Sequence, residues 1–418
     1  MNAAYDAIIL GGGPSGATAA VLLAQAGWRV AIIEKAEFPR RKVCGEFISA
    51  TTWPLLRQLG IAQPLLEIAG PVVRRIGIYG GEAMVTAQLL TQPAHAQDRG
   101  TAEDSGMALG REHLDTLLLK RAKEAGAEVW QPCTMSAYVA YDDGYECTIN
   151  NRHTHQVHTL QSRLIIAAHG SWESAAMLTQ DFRRPPHKSD LFGFKAHFHG
   201  SALPHDLMPL LAFPGGYGGM VHTDGDRVSL SCCIRRDQLA RCRLSSPQAR
   251  AAEAVFTHLT SSCKGVELAL SAAALDGAWL SVGPLRTGIR GFGQDGIFAV
   301  GNAAAEAHPI IAEGISMAIQ SSTLLCGQLI AHLQLPSAAS CSRHSLEAVR
   351  RDYAKAWHTN FSRRLRISAL FAHLFMRPLT TRIATGLLQH FPQLLTEGAR
   401  WSGKTEPLRG THPAAVVR

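Results

Sequence analysis

Residues 5–34 read YDAIILGGGPSGATAAVLLAQAGWRVAIIE, and this stretch decides the fold. Ala7, Ile8, Ile9 and Leu10 form a short apolar run of the kind that makes a buried strand. Gly11, Gly13 and Gly16 follow at once in the spacing G-x-G-x-x-G, with Pro14 and Ser15 between the last two. Residues 17–26 are rich in Ala and Leu and helix-prone, and Gly27 supplies the stop. A second, mostly apolar strand over 29–33 runs into the acid Glu34. Each part has a physical task. Gly11 permits the tight turn, Gly13 leaves room for a pyrophosphate against the backbone, and Gly16 lets the helix approach the strand. The helix start presents free N–H groups and a positive dipole end to phosphates. Glu34 stands at the distance at which an acid meets a ribose hydroxyl. The unit predicts a dinucleotide-binding βαβ and with it an α/β fold.

The rest of the composition is permissive. A chain of 418 residues with 46% hydrophobic content can bury a large core and suits two intimately joined domains or one large α/β body. The net charge of +8 favours an anionic surface or an acidic cofactor, but no basic stripe interleaved with aromatics in the body of the chain points to nucleic acid. Nine scattered cysteines without a C-x-x-C pair predict reduced thiols and a cytoplasmic protein, not a disulfide framework or an iron–sulfur site. The first strand starts almost immediately, so no leader peptide is expected, and no apolar run reads as long enough to span a bilayer.

After Glu34 come Lys35 and a loop, then Pro39-Arg40-Arg41-Lys42-Val43-Cys44-Gly45-Glu46. This P-R-x-K-x-C-G-E pattern after a G-x-G-x-x-G unit resembles the geranylgeranyl reductase branch of the FAD-dependent oxidoreductase superfamily. That superfamily also holds p-hydroxybenzoate-hydroxylase-type monooxygenases and flavin-dependent halogenases. The resemblance implies FAD, a glutathione-reductase-type Rossmann FAD domain, an inserted β-sheet substrate domain and a helical C-terminal tail. It places Lys35, Arg40, Lys42, Cys44 and Gly45 along the cofactor, with Cys44 near its reactive ring.

Further along, residues 109–125 carry apolar positions at helical spacing and are similar to the family's R-x-x-L-D-x-x-L-L helix, which makes Arg111 a candidate cofactor contact and Asp115 its helix partner. His169-Gly170 stands where the family has Asp-Gly, a departure that weakens direct NADPH binding. The segment Phe192-Gly-Phe-Lys-Ala-His-Phe198 alternates, with an aromatic face on one side and Gly193, Lys195 and His197 on the other. Tyr217 resembles the tyrosine of the reductases' Y-x-W-x-F-P motif, while Gly219 and His222 depart from it. Tyr217, His197, His222 and Cys44 are the candidate catalytic groups; either histidine can equally be a plain strand residue. The motif G-D-A-A…P…G-E-G-I reappears as Gly301-Asn302-Ala-Ala…Pro309…Glu313-Gly314-Ile315. The resemblance implies that Asn302, in place of the aspartate, meets the ribitol or pyrophosphate. The helix after Gly314 then points its N-terminus at the flavin edge where negative charge builds up.

These readings divide the chain into FAD-binding parts at 1–70, 109–185 and 283–335, substrate-domain parts at 71–108 and 186–282, and a helical C-terminal region at 336–418. In the tail, Arg363, Arg364, Arg366, Arg377 and Arg382 interleave with apolar residues. That pattern fits peripheral membrane contact through basic amphipathic helices, or helices packed on the substrate domain with a solvated arginine face. Residues 404–418 read as a disordered end. The expected activity is a FAD-dependent monooxygenase hydroxylating a small hydrophobic aromatic or polyketide-like substrate, with NADPH or NADH as donor. Two alternatives stay open: a geranylgeranyl reductase-like enzyme saturating prenyl double bonds, served by a ferredoxin-like donor, and a flavin-binding partner or scaffold without turnover. The halogenase branch is disfavoured because its W-x-W-x-I-P motif is missing and 71–97 contains no lysine.

Overall fold

The computed structural model describes residues 4–89, 105–171, 185–333, 342–404 and 408–409. Residues 93–104 of the expected loop and most of the expected disordered end therefore lie outside the described residues. Two sheets organise the molecule. The first has eight strands, and its main path runs Gly293–Gln294, Ile297–Ala299, Val157–Ala167, Ala4–Leu10, Val30–Ile33, Glu128–Trp130. The strand Ala4–Leu10 lies centrally and pairs in parallel with both Val157–Ala167 and Val30–Ile33. All four residues of Val30–Ile33 are buried, as a parallel strand covered on both faces requires. The hairpin Cys133–Tyr141 and Gly144–Asn151 is added antiparallel, around the Asp142-Asp143-Gly144 turn.

The helix Pro14–Gln25 follows the glycine loop and is packed between the sheet and the helix Gly314–His332. Pro14 fills the first turn, where a missing N–H costs nothing. Ala17, Ala19, Ala20, Val21, Leu22 and Leu23 are all essentially inaccessible, so this helix is apolar nearly all round. The helix Gly314–His332 is similar: it is long and apolar enough to cross a membrane, contrary to the expectation above, and 72% of its most apolar window is buried inside the protein. Its apolarity is that of a core helix with neighbours on both sides.

The second sheet has seven strands in the order Ala274–Leu285, Leu191–His199, Arg227–Arg235, Gly216–Thr223, Leu207–Phe213, Arg75–Gly80, Ala83–Gln88. Residues 75–88 thus share a sheet with residues 191–285, although the helix Arg111–Glu124 and much of the first sheet intervene in sequence. One face carries Phe194, Ala196, Phe198, Met220 and Leu230 against Val255, Leu259 and Val266 of two covering helices. The alternate residues Lys195, His197, Tyr217 and Val221 turn the other way, as a two-residue repeat demands. The tail forms Arg343–Phe375, Pro378–His390 and Gln393–Trp401. Its inward residues Phe375, Met376, Leu388 and Leu395 pack with Ile76, Val85, Met208 and Tyr217.

Candidate functional site

A cleft enclosing about 210 Å³ opens between the two sheets. Its lining includes Gly13, Pro14 and Ser15 of the glycine loop, Lys42, Cys44, Gly45 and Glu46 of the next loop, and Tyr217 and His308. Two helix N-termini open on it. Neither Pro14–Gln25 nor Gly314–His332 has a side-chain cap or an acid in its first turn, so their leading N–H groups are free for an anion or a carbonyl. At Gly13 an added Cβ meets only Arg111 Nη2, at 3.6 Å, and at Gly314 it meets nothing within 4 Å. These are cradles in which backbone is left bare for a ligand, and they fit a flavin dinucleotide lying along the cleft.

The predicted contacts fall around this path. Glu34 is buried and accepts from Gly12 N at 2.7 Å and Ala36 N at 2.8 Å, which fixes the loop as well as the acid. Arg111 forms a bidentate pair with Asp115 at 2.7 and 2.8 Å, which holds the guanidinium beside the glycine loop. Arg40 stands 3.7 Å from both Glu34 and Asp115, over the ring of Phe38. Enclosure together with the repulsion of Arg111 and Arg40 lowers the Lys42 amine to about 8. Lys35 is exposed, and its carbonyl takes Arg152 Nη1 at 2.9 Å. Asn302 donates to Ser171 Oγ at 2.9 Å, and Gly301, Asn302, Pro309, Gly314 and Ile315 all line the cleft. The eight described cysteines are free thiols, and Cys44, half-buried in the cleft wall, receives Glu46 N at 3.4 Å.

Of the predicted residues, Gly11, Gly16, Glu34, Lys35, Arg40, Glu313, His222 and His197 are not part of the cleft lining, and the last three are each held by partners of their own. Glu313 turns into the core, where it accepts from Ser49 Oγ at 3.1 Å and Lys404 Nζ at 3.0 Å. The Lys404 amine is buried and also reaches Ile311 O at 2.5 Å, so this residue of the expected disordered end is a fixed part of the structure. His222 lies on the opposite face of its strand from Tyr217, because it stands five positions on, an odd step. Its Nε2 donates to Leu203 O at 2.8 Å, its ring stacks on His205 at 4.2 Å, and burial lowers its pKa. His197 does face the first sheet, but it is sealed at 2% exposure, with Nε2 2.8 Å from Glu46 Oε2.

Sequence reasoning missed what His197 serves. Glu46 is completely buried and accepts from Arg111 N at 3.2 Å, from His197 and from the fully buried Lys195 amine. Burial alone would raise its pKa, yet the His197 hydrogen bond and the Lys195 charge reverse this and hold it at about 2. Its backbone sits at φ +63, a left-handed conformation that costs a non-glycine residue about 1–2 kcal/mol, offset here by three charge-assisted bonds. The available signal was the shared strand face of Lys195 and His197, which calls for an acid opposite. A second buried network joins the sheets: Arg227 bonds Asp224, Glu112 at 3.2 Å and Asp276 at 3.1 Å.

The other missed residue is His308. Tyr217 Oη lies 3.1 Å from His308 Nδ1, and Thr287 Oγ1 lies 3.2 Å from His308 Nε2. Burial, then the neighbouring His373, lower His308 to about 4, and burial pushes the Tyr217 hydroxyl well above its usual value. Both groups are therefore neutral near pH 7. The folded state takes up the His308 proton only near pH 4, whereas the unfolded chain takes it up near 6.5. The folded state thus binds fewer protons between these values, and stability falls as pH drops from 6.5 to 4. The loss should amount to about 2–3 kcal/mol by urea unfolding, and His308→Asn should remove that part of the slope.

Comparison with known proteins agrees with this geometry. The FAD binding domain family matches residues 4–357. The chain belongs to this family. FAD is therefore its cofactor, and it is a FAD-dependent oxidoreductase by family. Among curated proteins, digeranylgeranylglycerophospholipid reductase 1 of Methanopyrus kandleri is 27% identical over 345 residues, covering 78% of this chain and 79% of that protein. A match to conditioned medium factor receptor 1 of Dictyostelium discoideum is 29% identical, but covers only 34% of that protein. Among solved structures, the flavin-dependent brominase Bmp2 superposes with a TM-score of 0.72 at 18% identity, covering 96% of this chain and 94% of that one. PqsL of P. aeruginosa, solved with 2-aminobenzoylacetate, gives 0.67 at 16% identity, with 93% and 100% covered. At such identities these structures speak for the fold alone.

Proposed function

We propose that this flavoprotein is a monooxygenase that hydroxylates a hydrophobic aromatic or polyketide-like substrate bearing an ionisable hydroxyl, with NADPH or NADH as electron donor. The observation that supports this reading is the Tyr217–His308–Thr287 chain, set beside apolar walls in a cleft whose lining also includes Cys233 and the buried Glu306. Met208, Leu210, Val221, Leu285, Ile310 and Ile311 form the walls there. A pocket of this kind uses its few polar groups to orient the ligand. A prenyl chain has nothing to offer a buried phenol and imidazole, whereas an aromatic hydroxyl does. The reductase reading draws its support from the Methanopyrus relative, and it is the rival that the tests must separate.

FAD, when bound, supplies the redox and oxygen chemistry. The chain's own residues bind and orient the substrate and polarise its hydroxyl. Tyr217 Oη accepts from the substrate hydroxyl while donating to His308 Nδ1, and His308 Nε2–H then donates to Thr287 Oγ1. These hydrogen bonds fix the substrate hydroxyl and polarise its O–H bond toward Tyr217, which leaves the ring more electron-rich without net proton transfer, since His308, its pKa lowered to about 4, holds no second proton near pH 7. The apolar walls keep bulk water out, and the bare N-terminus at Gly314 would hold the flavin and stabilise negative charge on it. Tyr217→Phe is expected to lower kcat/KM for a hydroxyaromatic about 100-fold with unchanged flavin content. Steady-state kinetics on a panel of alkylated phenols and resorcinols, with incorporation of labelled oxygen, checks this. An unchanged kcat/KM would remove this hydrogen-bond chain from the mechanism.

A further inference from the structure

The helix Pro378–His390 is turned inside out for a surface that meets only water. Its buried positions are Thr381, Thr385 and Leu388, while Leu379, Ile383 and Leu387 are 71%, 65% and 52% exposed. The threonine hydroxyls are satisfied inward: Thr381 donates to Phe375 O at 3.2 Å and Thr385 to Thr381 O at 2.9 Å. Packing holds this rotation, since a Cβ at Gly80 would come within 2.9 Å of Thr381 Cγ2. The outward residues recur every fourth position and so form one stripe. Phe391, Leu394 and Trp401 extend it, all exposed.

The charge near the stripe is mostly positive, its one acid within 378–401 being Glu397, which pairs with Arg400 at 3.1 Å. Residues 353–396 contain no aspartate or glutamate but carry Lys355, Arg363, Arg364, Arg366, Arg377 and Arg382. Arg364 is buried, bonded to Gln320 Oε1 at 2.8 Å. Arg377 and Arg382 are exposed, and neither pairs with a described carboxylate. We infer that this tail face docks on an anionic lipid surface. The leucine–isoleucine stripe enters the boundary between headgroups and acyl chains, and the arginines meet the lipid phosphates. A second copy of this chain is a poor occupant, because the same mostly basic face would be set against itself. The inner side of these helices packs with Tyr217, Val221, Ile310 and Ile311, residues that line the cleft. The docked face therefore backs directly onto the wall of the pocket, next to the layer in which an apolar substrate dissolves. The docking itself does not depend on which reaction the cleft performs.

The test uses the FAD-loaded full chain sedimented with vesicles of phosphatidylcholine alone or of phosphatidylcholine with phosphatidylglycerol. The protein should pellet with the anionic vesicles and be released by added salt. Ile383→Glu with Leu387→Glu should weaken binding at least about tenfold. Arg377→Gln and Arg382→Gln should each weaken it about fivefold. Flavin content and melting temperature, measured on the same samples, should stay unchanged, because all four side chains are exposed. Absence of binding to either vesicle, equal binding by the Ile383→Glu, Leu387→Glu variant, or a solution dimer lost in that variant without vesicle binding would each overturn the inference.

Discussion

Gly16→Ala should yield a protein that does not retain FAD and that fails to fold to full secondary structure content. A Cβ at Gly16 would stand 1.8 Å from Gly11 O and 3.1 Å from Ala168 Cβ. The first of these is backbone, in a loop that is itself confined: Gly11 sits at φ +106, and a Cβ there would lie 2.7 Å from Ala168 O. No rotamer change relieves the overlap, so the helix Pro14–Gln25 must move off the sheet. That movement uncouples its free N–H groups from the pyrophosphate path and opens the core against Gly314–His332. A control separates the steric effect from glycine chemistry in general. At Gly327, inside the helix Gly314–His332, an added Cβ meets nothing within 4 Å, and Gly327→Ala should gain about 0.5–1 kcal/mol. Flavin absorbance per protein and far-ultraviolet circular dichroism read both variants. A flavin-replete Gly16→Ala protein would contradict the packing described for the loop.

The second large effect is at Glu46. Removing this carboxylate strands the fully buried Lys195 ammonium and leaves His197 without its partner. Breaking a buried pair in this way costs about 3–5 kcal/mol, so Glu46→Ala should lower the urea midpoint by that equivalent. The sharper test is rescue. Glu46→Gln with Lys195→Met removes both charges and keeps the volume, and it should recover most of the lost stability, because the desolvation cost of the ions disappears with them. If the double variant is as unstable as Glu46→Ala, the loss comes from shape at this left-handed position and not from the stranded charge.

Much of this architecture is legible in the sequence for a physical reason: local spacing sets local geometry. The glycine loop and its flanking strands depend on contacts within a few residues, and the alternation in 192–198 sorts Phe194 from Lys195 without knowledge of any other segment. The reach of the reading ends where a partner comes from far away. Lys195 and His197 announce a need for an acid, but that the acid is Glu46 follows from how the loop after Pro39 crosses the second sheet. Glu313 matches a family motif, yet Ser49 and Lys404 pull its carboxylate away from the cleft, and nothing near Glu313 in sequence reveals this. His222 is the opposite case. Counting along its strand from Tyr217 already places it on the other face, so its candidacy as an acid/base group in the cleft conflicted with the two-residue repeat. In the tail, the inner side of the helices packs on the second sheet, as one of the two readings expected, while the outer side carries the apolar stripe from which the lipid docking is proposed.

The central claim is that the cleft serves oxygen insertion into a hydroxyaromatic. Its most direct test mixes the FAD-loaded protein anaerobically with NADPH or NADH, with and without an alkylated phenol or resorcinol, and follows bleaching of the oxidised flavin band. Labelled oxygen is then admitted and the product is weighed by mass spectrometry. The account predicts bleaching that the aromatic accelerates, followed by one labelled oxygen atom in the product. Ready reduction by a ferredoxin-like donor with saturation of a prenyl chain and no label in any product would contradict it in favour of the reductase. Flavin that no donor reduces, whatever aromatic is present, would contradict it in favour of a flavin-binding protein without turnover.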